Sequence, residues 1–396
     1  MVTPAPLKHP RKRQVAWWAG FITLLLVTWY WQPLRAYESL LVLADINSAA
    51  APSHLKSITP PPTRTPIAYS TATGSHRGDL YLPGDGAPAA GIVLVPGVVP
   101  EGKNDPRLIA LAHTLARARF AVLVPEMPGF REIRVRPSDA REVADAISHL
   151  AHRRDLAPQG RAGVISFSYA VGLAVLAGLE EDVRDKILFI VGVGGYHDLV
   201  NVVTFFTTGY FQEGGQWRHM QPNPYGKWVF VNSSEDYLHS PRDRAVLDQM
   251  VRLKLRDMRG DISHLAPQLG PEGRAIYDLL TNTDPARVAS LMATLPAPVR
   301  ADMANLTLAG KDLTRLKARL SLIADRNDNI IPYTESIALA HAVSETQVSL
   351  VLVGSLIHVE PKGWRYFSWE FWRQDLPDFW RMYRVVYALL GERERE

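Results

Sequence analysis

Cysteine is absent from the chain. That rules out disulfides, a thiol nucleophile and any metal held by thiolates, while leaving the compartment open. Three motifs are missing as well. There is no glycine-rich phosphate loop, no dinucleotide fingerprint and no metal-ligand spacing of His, Asp and Glu, so neither a cofactor nor a metal is expected. The adjacent His197 and Asp198 read as the start of a helix. Charge of one sign is scarce: 44 Lys and Arg against 40 Asp and Glu leave +4, with a pI near 9.1. Much of that excess sits in the amino-terminal tail, which favours anionic lipid headgroups over nucleic acid as a partner. Apolar residues are plentiful. They make up 47% of 396 residues, enough for a large core and more than one ordinary domain.

A short apolar strand, Gly163-Val164-Ile165-Ser166-Phe167, runs into Ser168, Tyr169, Ala170, Val171 and Gly172. The pattern is that of a nucleophile elbow, a sharp strand-to-helix turn that leaves a serine hydroxyl above a sheet. Small residues two before and two after the serine let the backbone fold that tightly. Here they are Ser166 and Ala170, so the motif is small-x-Ser-x-small and departs from strict G-x-S-x-G. Such a serine needs an acid and then a histidine further along the chain. Arg319 to Ala324 has strand character and opens into Asp325-Arg326-Asn327-Asp328-Asn329-Ile330-Ile331-Pro332. Gln347 to Val353 reads as a last strand, followed by Gly354, Ser355, Leu356, Ile357 and His358. Among 12 histidines, His358 is set apart because the serine dictates its place. Upstream, Gly91-Ile92-Val93-Leu94-Val95 reads as a strand delivering the loop Pro96-Gly97-Val98.

Together these pieces resemble the α/β-hydrolase superfamily over roughly residues 65–195 and 310–390, closest to dienelactone-hydrolase-like and prolyl-oligopeptidase-like members. The resemblance implies a Ser168, Asp328, His358 triad, with Asp325 as the alternative acid. It also implies an oxyanion hole made by the main-chain N–H groups of Val98 and Tyr169, with Gly97 and Val99 as alternatives for the first. Asp79-Leu80-Tyr81-Leu82-Pro83 is similar to the second strand of such a core, and Phe120 to Gly129 to its fourth. Three departures are visible. Ser166 stands where the family has Gly, Pro96 where it often has His, and Glu126 where it often has Asp.

Periodicity gives the same architecture. Nearly continuous apolar runs near 92–96, 120–125, 163–167, 187–193, 319–324 and 347–353 suit parallel strands buried on both faces. Amphipathic stretches at 107–119 and 139–149 lie between them, the second with Ser138, or Asp139 with Glu142, as its N-cap signal. The expected fold is α/β, a doubly wound and mostly parallel sheet. Roughly 125 residues separate Gly194 from Arg319, far more than one crossover needs. Helical patterns at 241–258, 271–280, 284–295 and 298–308 predict a helical cap over the site, with Phe205, Phe206, Tyr210 and Phe211 either lining a pocket or packing in the core.

The amino terminus carries Lys8, Arg11, Lys12 and Arg13 ahead of Val15 to Trp31, a run without charge. As a helix it would span about 25 Å, near the lower limit for a bilayer. Trp17, Trp18, Trp29, Tyr30 and Trp31 mark its two ends as aromatic belts do. The positive-inside rule predicts a cytoplasmic tail (1–14), a transmembrane anchor (15–31), a juxtamembrane segment and Pro-rich linker (32–65), and an exported catalytic domain on the periplasmic or extracellular side. A signal peptide cleaved near Ala49-Ala50-Ala51 is the rival, disfavoured by the distance of that site from the apolar run. The core is expected in two parts, 66–198 and 316–396, around a cap at 199–315. Aromatic residues crowd between Trp364 and Tyr387, to pack on the sheet or to meet the membrane interface.

The expected activity is that of a serine hydrolase acting on a small-molecule ester or thioester through an acyl-enzyme. The alternatives are an acyltransferase with the same triad, or a non-catalytic anchored binding protein on a degenerate hydrolase core.

Overall fold

The computed structural model describes residues 33–71, 73–354, 356–357, 360–361, 373 and 375–394. The tail, the 15–31 run, His358 and residues 362–372 of the aromatic segment lie outside the described residues. Among the described residues, no helix is long and apolar enough to cross a membrane.

Among the described residues, ten strands of four residues or more follow in chain order: β1 (Thr63–Thr71), β2 (Gly74–Leu82), β3 (Ala90–Leu94), β4 (Phe120–Pro125), β5 (Ala162–Phe167), β6 (Ile187–Val193), β7 (Tyr210–Glu213), β8 (Gln216–His219), β9 (Arg319–Asp325) and β10 (Val348–Val353). The helices of seven residues or more are α1 (Pro33–Ser48), α2 (Pro106–Arg117), α3 (Asp139–His152), α4 (Tyr169–Leu179), α5 (Leu199–Thr208), α6 (Tyr225–Ser234), α7 (Pro241–Arg256), α8 (Pro271–Thr281), α9 (Val288–Thr294), α10 (Ala297–Leu306), α11 (Tyr333–Ala342) and α12 (Leu376–Gly391).

Eight strands form one sheet in the order β1-β2-β4-β3-β5-β6-β9-β10. From β4 to β10 all pairings are parallel, and β2 joins antiparallel. The parallel strands are apolar throughout because helices cover both faces: β3 and β4 have no exposed residue. Two large buried clusters result, one per face. Val93, Ile147 and Val171 belong to the first, Ile92, Leu115 and Leu390 to the second.

Chain order reverses direction beside β3, since β4 lies on one side of it and β5 on the other. In an open α/β sheet, the crevice beyond the strand ends at such a reversal is where ligands bind. The loop after β3 and the turn after β5 meet there.

Local signals behaved unevenly. Asp198 accepts the Val200 N–H at 2.8 Å and starts α5, as the His197-Asp198 pair implied. Ser138 precedes α3 without capping it through its side chain, and Asp139 instead accepts the Arg136 N–H at 2.8 Å. The juxtamembrane segment expected at 32–65 packs on the folded body. α1 buries Val42 and Leu43, Leu55 joins the same cluster, and Tyr383 of α12 donates to the Ala36 carbonyl at 3.4 Å.

Candidate active site

Ser168 sits between the end of β5 and the first residue of α4, at φ 55° and ψ −129°. That backbone region is sparsely populated for a residue with a Cβ and costs on the order of 1–3 kcal/mol. Its surroundings impose it. The Ser168 N–H donates to the Val193 carbonyl of β6 at 2.8 Å, and its own carbonyl accepts the Val171 N–H at 3.1 Å. Close packing of α4 on β6 adds to the constraint. A Cβ at Gly192 of β6 would lie 2.6 Å from the Val171 side chain of α4. Ala170 and Ser166 are fully buried, and the Ser166 hydroxyl has no hydrogen-bond partner among the described residues. The family-departing serine thus brings an orphan polar atom, not a new bond.

Tyr169 is the first residue of α4, so its N–H has no acceptor within the helix. Its buried phenol is pushed well above the ordinary range by desolvation, with the Asp328 carboxylate nearby adding to the effect. Val98, in the loop after β3, is buried. The Val99 N–H is occupied by the Gly97 carbonyl at 3.0 Å, which removes Val99 from the candidate donors. No acceptor for the Val98 N–H occurs among the described residues.

Both acid candidates are fully buried after β9. Asp325 ends the strand and turns the chain: its carbonyl accepts the Asp328 N–H at 3.1 Å, and its Oδ1 accepts the Asn327 N–H at 2.5 Å. Asp328 lies at the head of the turn, where Oδ1 accepts the N–H groups of Ile330 at 2.9 Å and Ile331 at 3.0 Å. The Asn-Ile-Ile-Pro step thereby fixes its carboxylate. β10, paired with β9 up to Val353 opposite Asp325, carries the chain toward His358, which itself lies outside the described residues.

Three further features escaped sequence reasoning. Glu335 of α11 is buried and accepts the N–H groups of His197 at 3.0 Å and Asp198 at 2.7 Å, and the Asn201 amide at 3.0 Å, so it fixes the loop after β6. Burial keeps its pKa raised in spite of those bonds. Tyr225, at the start of α6, donates its hydroxyl to the Val98 carbonyl at 2.8 Å. Finally, a mostly apolar cavity, partly continuous with solvent, is lined by Tyr169, Tyr196, Phe206, Val229, Asp302 and Met303 among others. At its edge Tyr237 donates to Asp302 at 2.6 Å.

No family model and no curated protein sequence matches the chain. Solved structures do. A candidate hydrolase of Legionella pneumophila superposes with a TM-score of 0.50 at 12% identity, covering 86% of this chain and 94% of the other. A 2,6-dihydroxy-pseudo-oxynicotine hydrolase gives 0.47 at 11% identity, covering 84% and 68%. An esterase of Pyrococcus furiosus gives 0.43 at 12% identity, covering 84% and 91%. With the strand order described above, the first of these shows the fold: this is an α/β-hydrolase fold.

Proposed function

We propose that the protein is a serine hydrolase of carboxylic esters or thioesters. The observation that carries this reading is the backbone of Ser168, a non-glycine residue held at positive φ beyond the end of a central parallel strand. Strain of this kind persists where the surroundings over-determine it, and it presents the hydroxyl above the sheet. In the reaction, the Ser168 oxygen adds to the substrate carbonyl as its proton passes to His358. The N–H groups of Val98 and Tyr169 hold the oxyanion, and Asp328 keeps His358 in the required tautomer. Collapse expels the alcohol or thiol, which takes the proton from His358. Water, activated by the same histidine, then releases the acid and frees Ser168. The apolar space beside Tyr169 suits the acyl group.

An acyltransferase would differ only in the acceptor that replaces water. Fluorophosphonate labelling separates enzyme from binding protein. Wild type should be labelled and Ser168→Ala should not, with at least a thousandfold loss of ester hydrolysis. A folded wild type that takes no label overturns the reading.

The 15–31 run is proposed as an uncleaved anchor with the folded body on the exported side. Support comes from its flanking charges and aromatics, and from α1, which begins at Pro33 directly after it. Retention in the membrane pellet after alkaline carbonate is expected, and release into the supernatant would count against the anchor.

A further inference from the structure

We propose that Tyr225 is a positioning residue for the oxyanion hole: a side chain from the segment inserted between β6 and β9 that fixes the direction of the Val98 N–H. This rests on the reading of Ser168 as nucleophile and Val98 as donor.

The peptide joining Val98 to Val99 is pinned at both ends. Its carbonyl oxygen accepts the Tyr225 hydroxyl at 2.8 Å, and its N–H donates to the Gly97 carbonyl at 3.0 Å. With that plane fixed, the Val98 backbone loses its rotational freedom, and the one N–H it has left to offer points in a set direction. Preorganisation of this kind is what gives an oxyanion donor its effect, because no reorganisation is then needed as charge develops. Burial pushes the Tyr225 hydroxyl up to about 12, so it stays protonated and able to donate across the neutral range.

The same short segment reaches the other parts of the site. The Asn223 N–H donates to the carbonyl of Asn329, next to Asp328, at 2.7 Å. The Asn223 side chain accepts the Tyr225 N–H at 3.0 Å, which orients the tyrosine. Gly226 passes so near Tyr169 that an added Cβ would lie 3.3 Å from its hydroxyl. Residues 223–226 therefore touch the oxyanion loop, the residue after the nucleophile and the acid turn. If the inserted segment moves away from the sheet, the Tyr225 bond goes with it, so the oxyanion hole is complete only when the insertion is docked.

Tyr225→Phe keeps the ring and removes only the donor. In hydrolysis of p-nitrophenyl esters, kcat should fall about tenfold with KM changed less than about twofold. Affinity for phenylboronic acid, whose boron takes up the serine oxygen and becomes tetrahedral, should fall by a similar factor. A merely structural role would lower the melting temperature and leave kcat of the folded enzyme alone. Asn223→Ala, which retains the hydroxyl and frees the tyrosine backbone, should lower kcat about threefold, and it serves if the phenylalanine variant does not fold. A labelled, active wild type with unchanged kcat in both variants overturns the positioning role alone. A wild type that is neither labelled nor active overturns the serine reading and this proposal with it.

Discussion

Asp328 and Asp325 stand three positions apart in one turn, both buried, and each accepts main-chain N–H groups of that turn. Asp325 accepts from the backbone of its own turn and lies beside the end of β10, where replacement disturbs the strand end. Asp328 is presented by the Ile330 and Ile331 N–H groups and lies near enough to Tyr169 to affect its phenol. Asp328→Asn is therefore expected to lower kcat by about 10³–10⁴ while the fold is kept, as loss of the orienting carboxylate of a triad does. Asp325→Asn should lower thermal stability first and turnover less. Steady-state kinetics beside melting curves checks this, and a larger kcat loss in the Asp325 variant would exchange the two roles.

The elements that hold the site differ in how openly the chain announces them. β3, β4, β5, β6, β9 and β10 fall within about two residues of the apolar runs, because strands buried on both faces have to be apolar throughout. The β7–β8 hairpin lies outside those apolar runs, although Gly214-Gly215 signals it. Both glycines have positive φ, 56° and 78°, as a two-residue hairpin turn requires. The C-terminal end of α6 grips the segment after β4. The Val135 N–H donates to the Ser233 hydroxyl at 2.9 Å, and Arg134 donates to the Asn232 carbonyl at 3.1 Å. This contact buries Glu235, whose Oε1 has no hydrogen-bond partner and whose other oxygen stands 3.7 Å from Arg134. Desolvation, with Asp248 adding to it, raises its pKa from 4.5 to about 8. The folded state thus binds this proton more tightly than the unfolded chain, so this group's contribution to stability falls as pH rises from about 4.5 to 8 and is level beyond. Glu235→Gln should stabilise by about 1–3 kcal/mol above pH 8 and by little near pH 4. Urea denaturation at the two pH values reads the difference, and equal effects at both would refute it.

At the scale of the whole molecule, the proposed anchor has exposed apolar side chains beside it. Of the large apolar side chains left exposed among the described residues, Leu34, Tyr37 and Leu40 lie on α1 and Trp380 on α12. The two helices pack together, and Trp380 stacks edge-on against Tyr383, which bonds to Ala36. This surface follows directly on the 15–31 run, so an anchored body would rest it on the lipid, where amphipathic aromatics are stable. Because the chain lacks cysteine, a single Cys at position 37 or 380 can carry an environment-sensitive fluorophore without background. In vesicles, quenching by lipid-borne nitroxides is expected at Tyr37→Cys and Trp380→Cys and not at Trp217→Cys, a position equally exposed on the β7–β8 hairpin. Quenching at all three positions, or at none, would remove the idea of a preferred face.

The amino-acid order alone determined the run of apolar strands, the elbow at Ser168 and the succession of acid turn and last strand. Each is a local pattern, set by period, residue size and turn chemistry within a few positions. Folding decided what local pattern cannot carry. It packed the juxtamembrane segment, as α1, on a helix more than 300 residues away. It occupied the Val99 N–H and brought Tyr225 to the Val98 carbonyl across 127 positions. Such contacts arise from how sheet and insertion close on one another, and no spacing within a single stretch of chain encodes them.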